Sequence, residues 1–190
     1  MEELEAIANE IKRCTLCDLC NKRNNAVPGE GYDKARIVLL GEAPGKNEDL
    51  QGRPFIGMSG RFLTKYLEKV GIKREAVFIT NAVKCRPPNN RKPTLHEIET
   101  CRPYLLRQLN TINPSIILAF GTSAAASLGL KFKHLSEVRG RKINIKLDDK
   151  TFDCFVTFHP SFPMRFPHAR EQFLKDIKTC LNIYKNLPTT

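Results

Sequence analysis

The sequence contains no tryptophan and only four tyrosines, so any surface that stacks on a planar ligand must be built from its eleven phenylalanines. No apolar run approaches the roughly 18–20 residues of a membrane helix, which excludes a helical span. The start, MEELEAIANE, is acidic and amphipathic and lacks the features of a secretory or transit peptide. A cytoplasmic location is therefore expected, with no membrane partner. Internal repeats and low-complexity tracts are absent. Neither G-x-x-x-x-G-K-[ST] nor G-x-G-x-x-G occurs, so nucleotide cradling by either loop is not expected. Acidic residues are in short supply, 20 against 31 Lys and Arg, for a net charge of +11. A solvated basic surface would account for that excess, and so would a polyanionic partner such as nucleic acid. At 190 residues, 41% hydrophobic and 27% charged, the chain fits one soluble domain spanning 1–190.

Strand and helix signals alternate. Residues 2–13 read as a short amphipathic helix with Leu4, Ile7, Ala8 and Ile11 on one side. ARIVLLGEAPG (35–45) is a continuous apolar run entering a Gly/Pro loop, as expected for a strand covered on both faces. A helix is expected over 59–71, a strand over 77–80 and a polar loop over 86–93. Thr94 and Glu97 then form a capping box for a helix reaching about Leu109. PSIILAFG (114–121) is a third buried strand leading into the small-residue helix TSAAASLG. INIKL (143–147) reads as an edge strand, CFVTFHPS (154–161) as a strand ending at His159, and 171–184 as the last helix. The expected fold is α/β, with three layers around a mostly parallel sheet. Glu42, Asn81 and His159 come directly after three of these strands. Ligands of open α/β sheets bind beyond such strand ends, so three distant segments could meet in one crevice.

Seven cysteines in a chain without a secretory signal point to metal binding more than to disulfides. Cys14 and Cys17 form C-x2-C, and Cys85 and Cys101 add two thiols from a second region. That stretched second pair is unusual for a zinc ribbon and favours an iron–sulfur cluster, although spacing alone leaves zinc open. Cys20 extends the first run but is not taken as a ligand, because four sulfurs complete either centre. Cys154 and Cys180 read as small core residues. In the loop after the first strand, Pro44 and Gly45 impose a tight turn. Phe55, between glycines in GRPFIGMSG (52–60), is either a hydrophobic plug or a stacking floor.

Taken together, Cys14-x2-Cys17, VPGEG (27–31), GEAPG (41–45), GRPFIG (52–57), TNAVKCRPP (80–88), Cys101-Arg-Pro and HPS (159–161) resemble the family 4 uracil-DNA glycosylases, the iron–sulfur type of archaea and thermophilic bacteria. The match runs through most of the chain, and its order makes it specific. The similar family 5 enzymes usually lack the glutamate found here at position 42. The resemblance implies a uracil-DNA glycosylase-like fold, a prokaryotic cytoplasmic setting and a [4Fe-4S] cluster on Cys14, Cys17, Cys85 and Cys101. It implies an enzyme that flips uracil out of DNA and hydrolyses its N-glycosidic bond.

On that resemblance, Asn81 reads the base edge, Phe55 stacks on the base, and the backbone of Gly41, Glu42 and Ala43 contacts it. His159 stabilises charge at uracil O2. The wider superfamily carries an Asp where this chain has Ala43, so Glu42 is assigned the water, and Glu48 is expected to crowd the C5 edge. Met164, Arg165 or Phe166 is expected to fill the gap left by the flipped nucleotide, and Arg86, Arg91 and Lys92 to meet phosphates. His96 and His134 are assigned no role. The partner is uracil-containing DNA, single- or double-stranded. A monomer is expected, and the tail NLPTT offers no obvious motif for a sliding clamp. Two alternatives stand beside this reading: a family 5-like enzyme of broader deaminated-base specificity, and a non-catalytic metal-containing nucleic-acid-binding module.

Overall fold

The computed structural model describes residues 2–185; the NLPTT tail lies outside the described residues. Among the described residues the chain forms seven α-helices and one six-stranded sheet. The strands are β1 (Glu30–Gly31), β2 (Ile37–Gly41), β3 (Phe78–Asn81), β4 (Ile116–Phe120), β5 (Lys142–Leu147) and β6 (Lys150–Thr157). The helices are α1 (Glu2–Arg13), α2 (Lys46–Gln51), α3 (Met58–Glu68), α4 (Leu95–Ile112), α5 (Gly121–Ser127), α6 (Ser161–Arg165) and α7 (Arg170–Lys185).

Strand order is β1-β3-β2-β4-β6-β5. The four central strands are parallel, and an antiparallel strand closes each edge. The continuous apolar runs result from burial on both faces. Along β2, Val38 and Leu40 enter one core with Leu105 and Leu109 of α4 and Ala124 and Ala125 of α5. Ile37 and Leu39 enter the other, with Leu63 and Leu67 of α3 and Phe173 and Ile177 of α7. The period-two alternation thus builds three layers. A third apolar cluster joins Ile7 and Ile11 of α1 to Leu19, Val83, Cys85 and Ile98, next to the N-terminal cysteines.

The expected INIKL edge strand is β5. The Thr94–Glu97 capping box is present, with Thr94 Oγ1 accepting from the Glu97 N–H at 3.2 Å and Glu97 Oε2 accepting from the Thr94 N–H at 2.7 Å. Two expectations need correction. The last strand begins at Lys150 and stops at Thr157, because it pairs with β5 through a hairpin and releases Phe158 and His159 from the sheet. Ser161, placed at the end of the CFVTFHPS run, instead opens the short helix α6. The two-residue strand β1 and helix α2 carry no sequence signal, being too short to show a period.

Candidate active site and cysteine centre

The four parallel strands end at Gly41, Asn81, Phe120 and Thr157, and a crevice of about 570 Å³ opens beyond those ends. Its walls include Glu42, Phe55, Asn81 and His159. The chain continues from β2 to β3 on one side and then crosses to β4 on the other, so the crevice lies where the sheet topology reverses.

Gly41 is the packing centre. A Cβ there would lie 2.3 Å from Asn81 Oδ1 and 2.5 Å from the Phe55 ring, so only glycine lets both side chains approach. Asn81 is buried, and its register beside Gly41 is set by the parallel β2–β3 ladder. Its backbone carbonyl accepts from Lys84 Nζ at 2.8 Å. That ammonium, on a residue only 1% exposed, also donates to Thr80 Oγ1 at 2.6 Å and Gln108 Oε1 at 2.8 Å. Gln108 Nε2 and Thr80 Oγ1 donate in turn to the Pro28 carbonyl, at 2.7 and 3.0 Å. Burial lowers Lys84 to about 8. The sequence offered no signal for this network, since a lysine between apolar residues looks like a surface residue.

Phe55 is 6% exposed and adopts a left-handed backbone with φ 50°. Its ring meets Phe120 edge-on at 6.0 Å and lies 6.1 Å from the His159 ring, tilted by 29°. It is therefore both a core plug and a wall of the crevice. Glu48 is a strut: Oε1 accepts from the Ile56 and Gly57 N–H groups at 3.0 and 2.6 Å, and Oε2 from the Gly45 N–H at 3.1 Å. It joins the 41–45 turn to the 55–57 turn. Glu42 Oε2 accepts from Ser123 Oγ at 2.5 Å, across the point where the topology reverses. The carbonyls of Gly41 and Glu42 accept from the N–H groups of Ala82 and Val83.

His159 Nδ1 accepts from the Ser161 N–H at 3.3 Å and lies 2.8 Å from Ser161 Oγ. Accepting at Nδ1 leaves the proton on Nε2. Burial lowers the His159 pKa, and the charges of Glu42 and Glu48 pull it the other way. The neutral form is favoured in the fold, so the unfolded chain binds more protons just below the ordinary histidine value of about 6.5. The stabilisation is present above that pH and is lost as pH falls through the depressed value. The thermal midpoint of the wild type is expected to drop further between pH 7 and 5 than that of His159→Gln, as read by calorimetry.

Of the expected DNA contacts, Arg91 is engaged bidentately by Glu97 at 2.7 and 2.9 Å, and Arg86 Nε donates to Asn90 Oδ1 at 2.7 Å. Lys92 Nζ is 3.4 Å from Thr122 Oγ1 at the crevice wall. Arg165 lines the crevice, Met164 is half-buried and Phe166 is 41% exposed. The sequence reading missed Phe162, which lines the crevice at 38% exposure. It is the middle ring of a ladder, 4.9 Å from Phe158 and 5.0 Å from Phe166. His96 and His134 are exposed and outside the crevice.

Cys14, Cys17, Cys85 and Cys101 line a second, apolar hollow together with Cys20, Ile11, Leu16 and Val83. All are free thiols. Burial raises Cys17 and Cys85, and pushes Cys101 up to about 11. Arg23 Nη1 donates to Cys85 Sγ at 3.0 Å, and a hydrogen bond with Cys14, helped by burial, pushes the Tyr104 hydroxyl up to about 12. Cys20 instead donates to Asn21 Oδ1 at 3.4 Å. Among the described residues no three His, Cys, Asp or Glu side chains close around a single metal-ion position. Thiols of the 14–17 and 85–101 segments lining one apolar hollow, with Arg23 donating to one sulfur, fit a multinuclear iron–sulfur group. Cys154 and Cys180 are buried in the two cores, where desolvation raises both thiols.

The family model of the uracil DNA glycosylase superfamily matches residues 28–181. The type-4 uracil-DNA glycosylase of Archaeoglobus fulgidus is 43% identical over 182 residues, 94% of this chain and 92% of that protein. The enzyme of the same name from Sulfurisphaera tokodaii is 44% identical over 183 residues, 94% and 83% of the two chains. The chain belongs to the type-4 uracil-DNA glycosylases. Its fold is shared with the crystal structure of Pedobacter heparinus SMUG2, at TM-score 0.50 and 16% identity over 80% of this chain and 76% of that one. As a member of this family, the chain is a glycosidase of DNA repair. Among its described residues no helix is long and apolar enough to cross a membrane.

Proposed function

We propose that this type-4 uracil-DNA glycosylase takes an everted deoxyuridine into the crevice beyond β2, β3, β4 and β6. There it hydrolyses the bond between N1 of the base and C1′ of the sugar. Water supplies the oxygen that ends on C1′ and the proton that ends on the base, so the products are free uracil and an abasic site. The observation that carries this reading is the convergence of Asn81 and Phe55 on Gly41, with the His159 ring 6.1 Å from that of Phe55 in the same crevice.

Asn81 can donate from Nδ2 to uracil O4 and accept at Oδ1 from N3–H. Cytosine presents the opposite pattern and would leave two buried groups unpaired. Phe55 stacks on the base. Gly41, Glu42 and Ala43 contact it through backbone groups, the N–H groups being the better candidates because two of the carbonyls already accept. As the glycosidic bond lengthens, negative charge grows on the leaving uracil, and His159 Nε2–H donates to O2, where a fixed donor counts most. Glu42, fixed by Ser123, positions the water. Glu48 holds the turns beside the C5 edge. Ser123→Ala is expected to lower the cleavage rate about tenfold with KM unchanged, since it frees a charged acceptor rather than a base contact. Steady-state kinetics on a single-dU oligonucleotide reads this.

Cys14, Cys17, Cys85 and Cys101 would hold a [4Fe-4S] cluster, which supplies cross-linking rather than a reaction step. The residues around it tie α1 and the 14–23 segment to the chain that leaves β3. The ring ladder at the crevice mouth, led by Phe162, supports stacking on bases next to the everted one, with Arg165 and Lys92 near the strand's phosphates. Arg86 and Arg91 are less available, being hydrogen-bonded within the fold. Met164, Arg165 and Phe166 remain candidates for the gap-filling side chain, and Phe162 joins them. One sheet with a core on each face supports reading 1–190 as a single domain.

The deciding experiment is an end-labelled oligonucleotide with one dU, incubated with protein and then treated with alkali. Cleavage at dU alone is expected. Binding without base release would favour the non-catalytic module. Parallel substrates carrying hypoxanthine or ethenocytosine measure whether the pocket is as narrow as Asn81 implies.

A further inference from the structure

Phe55 sits in the one part of the crevice wall whose backbone is left-handed at a residue other than glycine or asparagine, so something outside the crevice must keep it there. On one side the chain is pressed against α3: a Cβ at Gly60 would lie 1.9 Å from the Phe55 carbonyl oxygen. On the other side lies Arg74, which is not part of the crevice wall. Its Nη1 donates to the Phe55 carbonyl at 3.1 Å, and its Nη2 to the Pro54 carbonyl at 2.5 Å. Nη2 also meets Glu30 Oε1 at 2.8 Å. Arg53 holds the same carboxylate, at 2.7 and 3.0 Å. Glu30 belongs to β1 and pairs with Ile79, two residues before Asn81 on β3. A single guanidinium therefore ties the turn that carries the stacking ring to the strand system that carries the base-reading amide.

We propose that Arg74, with Glu30 as its counter-ion, is a positioning residue that sets the Phe55 ring at stacking distance from the base held by Asn81. This rests on the uracil-excising reading of the crevice. The chemistry requires arginine. Two carbonyls and a carboxylate are served by a planar fork with several fixed donors, whereas a lysine ammonium at the same place is a point charge. Arg53 shares the carboxylate but touches neither carbonyl, so it adds charge balance and no alignment.

The test is a double-mutant cycle on single-turnover uracil release, using wild type, Arg74→Lys, Phe55→Ala and the double variant. Arg74→Lys is expected to slow release about tenfold when Phe55 is present and less than twofold in the Phe55→Ala background, because a positioning effect disappears with the ring it positions. Arg53→Lys is expected to stay within twofold of wild type. Glu30→Gln keeps the guanidinium fork and removes its counter-ion; run through the same cycle, it reads the proposal if Arg74→Lys does not fold. Equal losses with and without the Phe55 ring, or no loss on Arg74→Lys, overturn it. If the wild type itself releases no uracil, the reading of the crevice fails instead.

Discussion

Asn81→Ala is expected to slow single-turnover uracil release roughly 10³-fold while leaving the circular dichroism spectrum unchanged. The size reflects two lost hydrogen bonds in a closed site. Uracil O4 and N3–H would each be stranded without water, at about 1–3 kcal/mol apiece. The β2–β3 register and the Lys84 bond hold the Asn81 backbone, and its Oδ1 packs closely against Gly41. A loss smaller than tenfold would remove Asn81 from the role of base reader.

Cys101→Ala is expected to have the second large effect. Bound iron should fall from about four per chain to less than one, with loss of the broad absorbance near ~400 nm. The thermal midpoint should drop by about 10 °C or more, since cluster binding and folding are linked. Cys101 stands on α4 and Cys85 on the segment leaving β3, so losing either thiol would remove a cross-link to the 14–17 segment and leave α1 held by its apolar contacts and the Glu10–Arg107 pair. Cys20→Ala, which alters the thiol paired with Asn21, should keep its iron. A colourless protein carrying one zinc would overturn the cluster assignment. Iron analysis and scanning calorimetry on the same preparations decide it.

The parts of this molecule that can be read from sequence are those in which a period or a motif repeats a physical constraint. Val38, Leu39 and Leu40 cannot all be apolar unless both faces of β2 are covered, so the layered architecture is visible. Thr94 and Glu97 announce α4 because a capping pair has fixed spacing. Glu42, Asn81 and His159 stand out as polar residues after buried runs. The fourth strand end gives no such signal because the residues next to it, Gly121 to Ser123, are small, although Ser123 holds Glu42. Arg74 and Lys84 are invisible for another reason. Their partners are mostly backbone carbonyls and neutral side chains, and which of these a long cation meets is decided by tertiary folding, not by neighbours in the chain. Glu48 can be placed near the pocket from the motif, but its engagement with three amides cannot. Phe162 is inconspicuous beside Met164, Arg165 and Phe166 because a short helical turn, α6, brings it back to the rim.

Asn81 and Cys85 are separated by three residues, one of which is the fully enclosed Lys84. With the roles proposed for Asn81 and Cys85, an insertion or deletion anywhere in that stretch is expected to disturb base choice and metal retention in one stroke. Anyone re-engineering this enzyme toward another nucleobase is therefore confined to substitutions there, and loop-length changes have to be made elsewhere, on the side of the turns braced by Glu48.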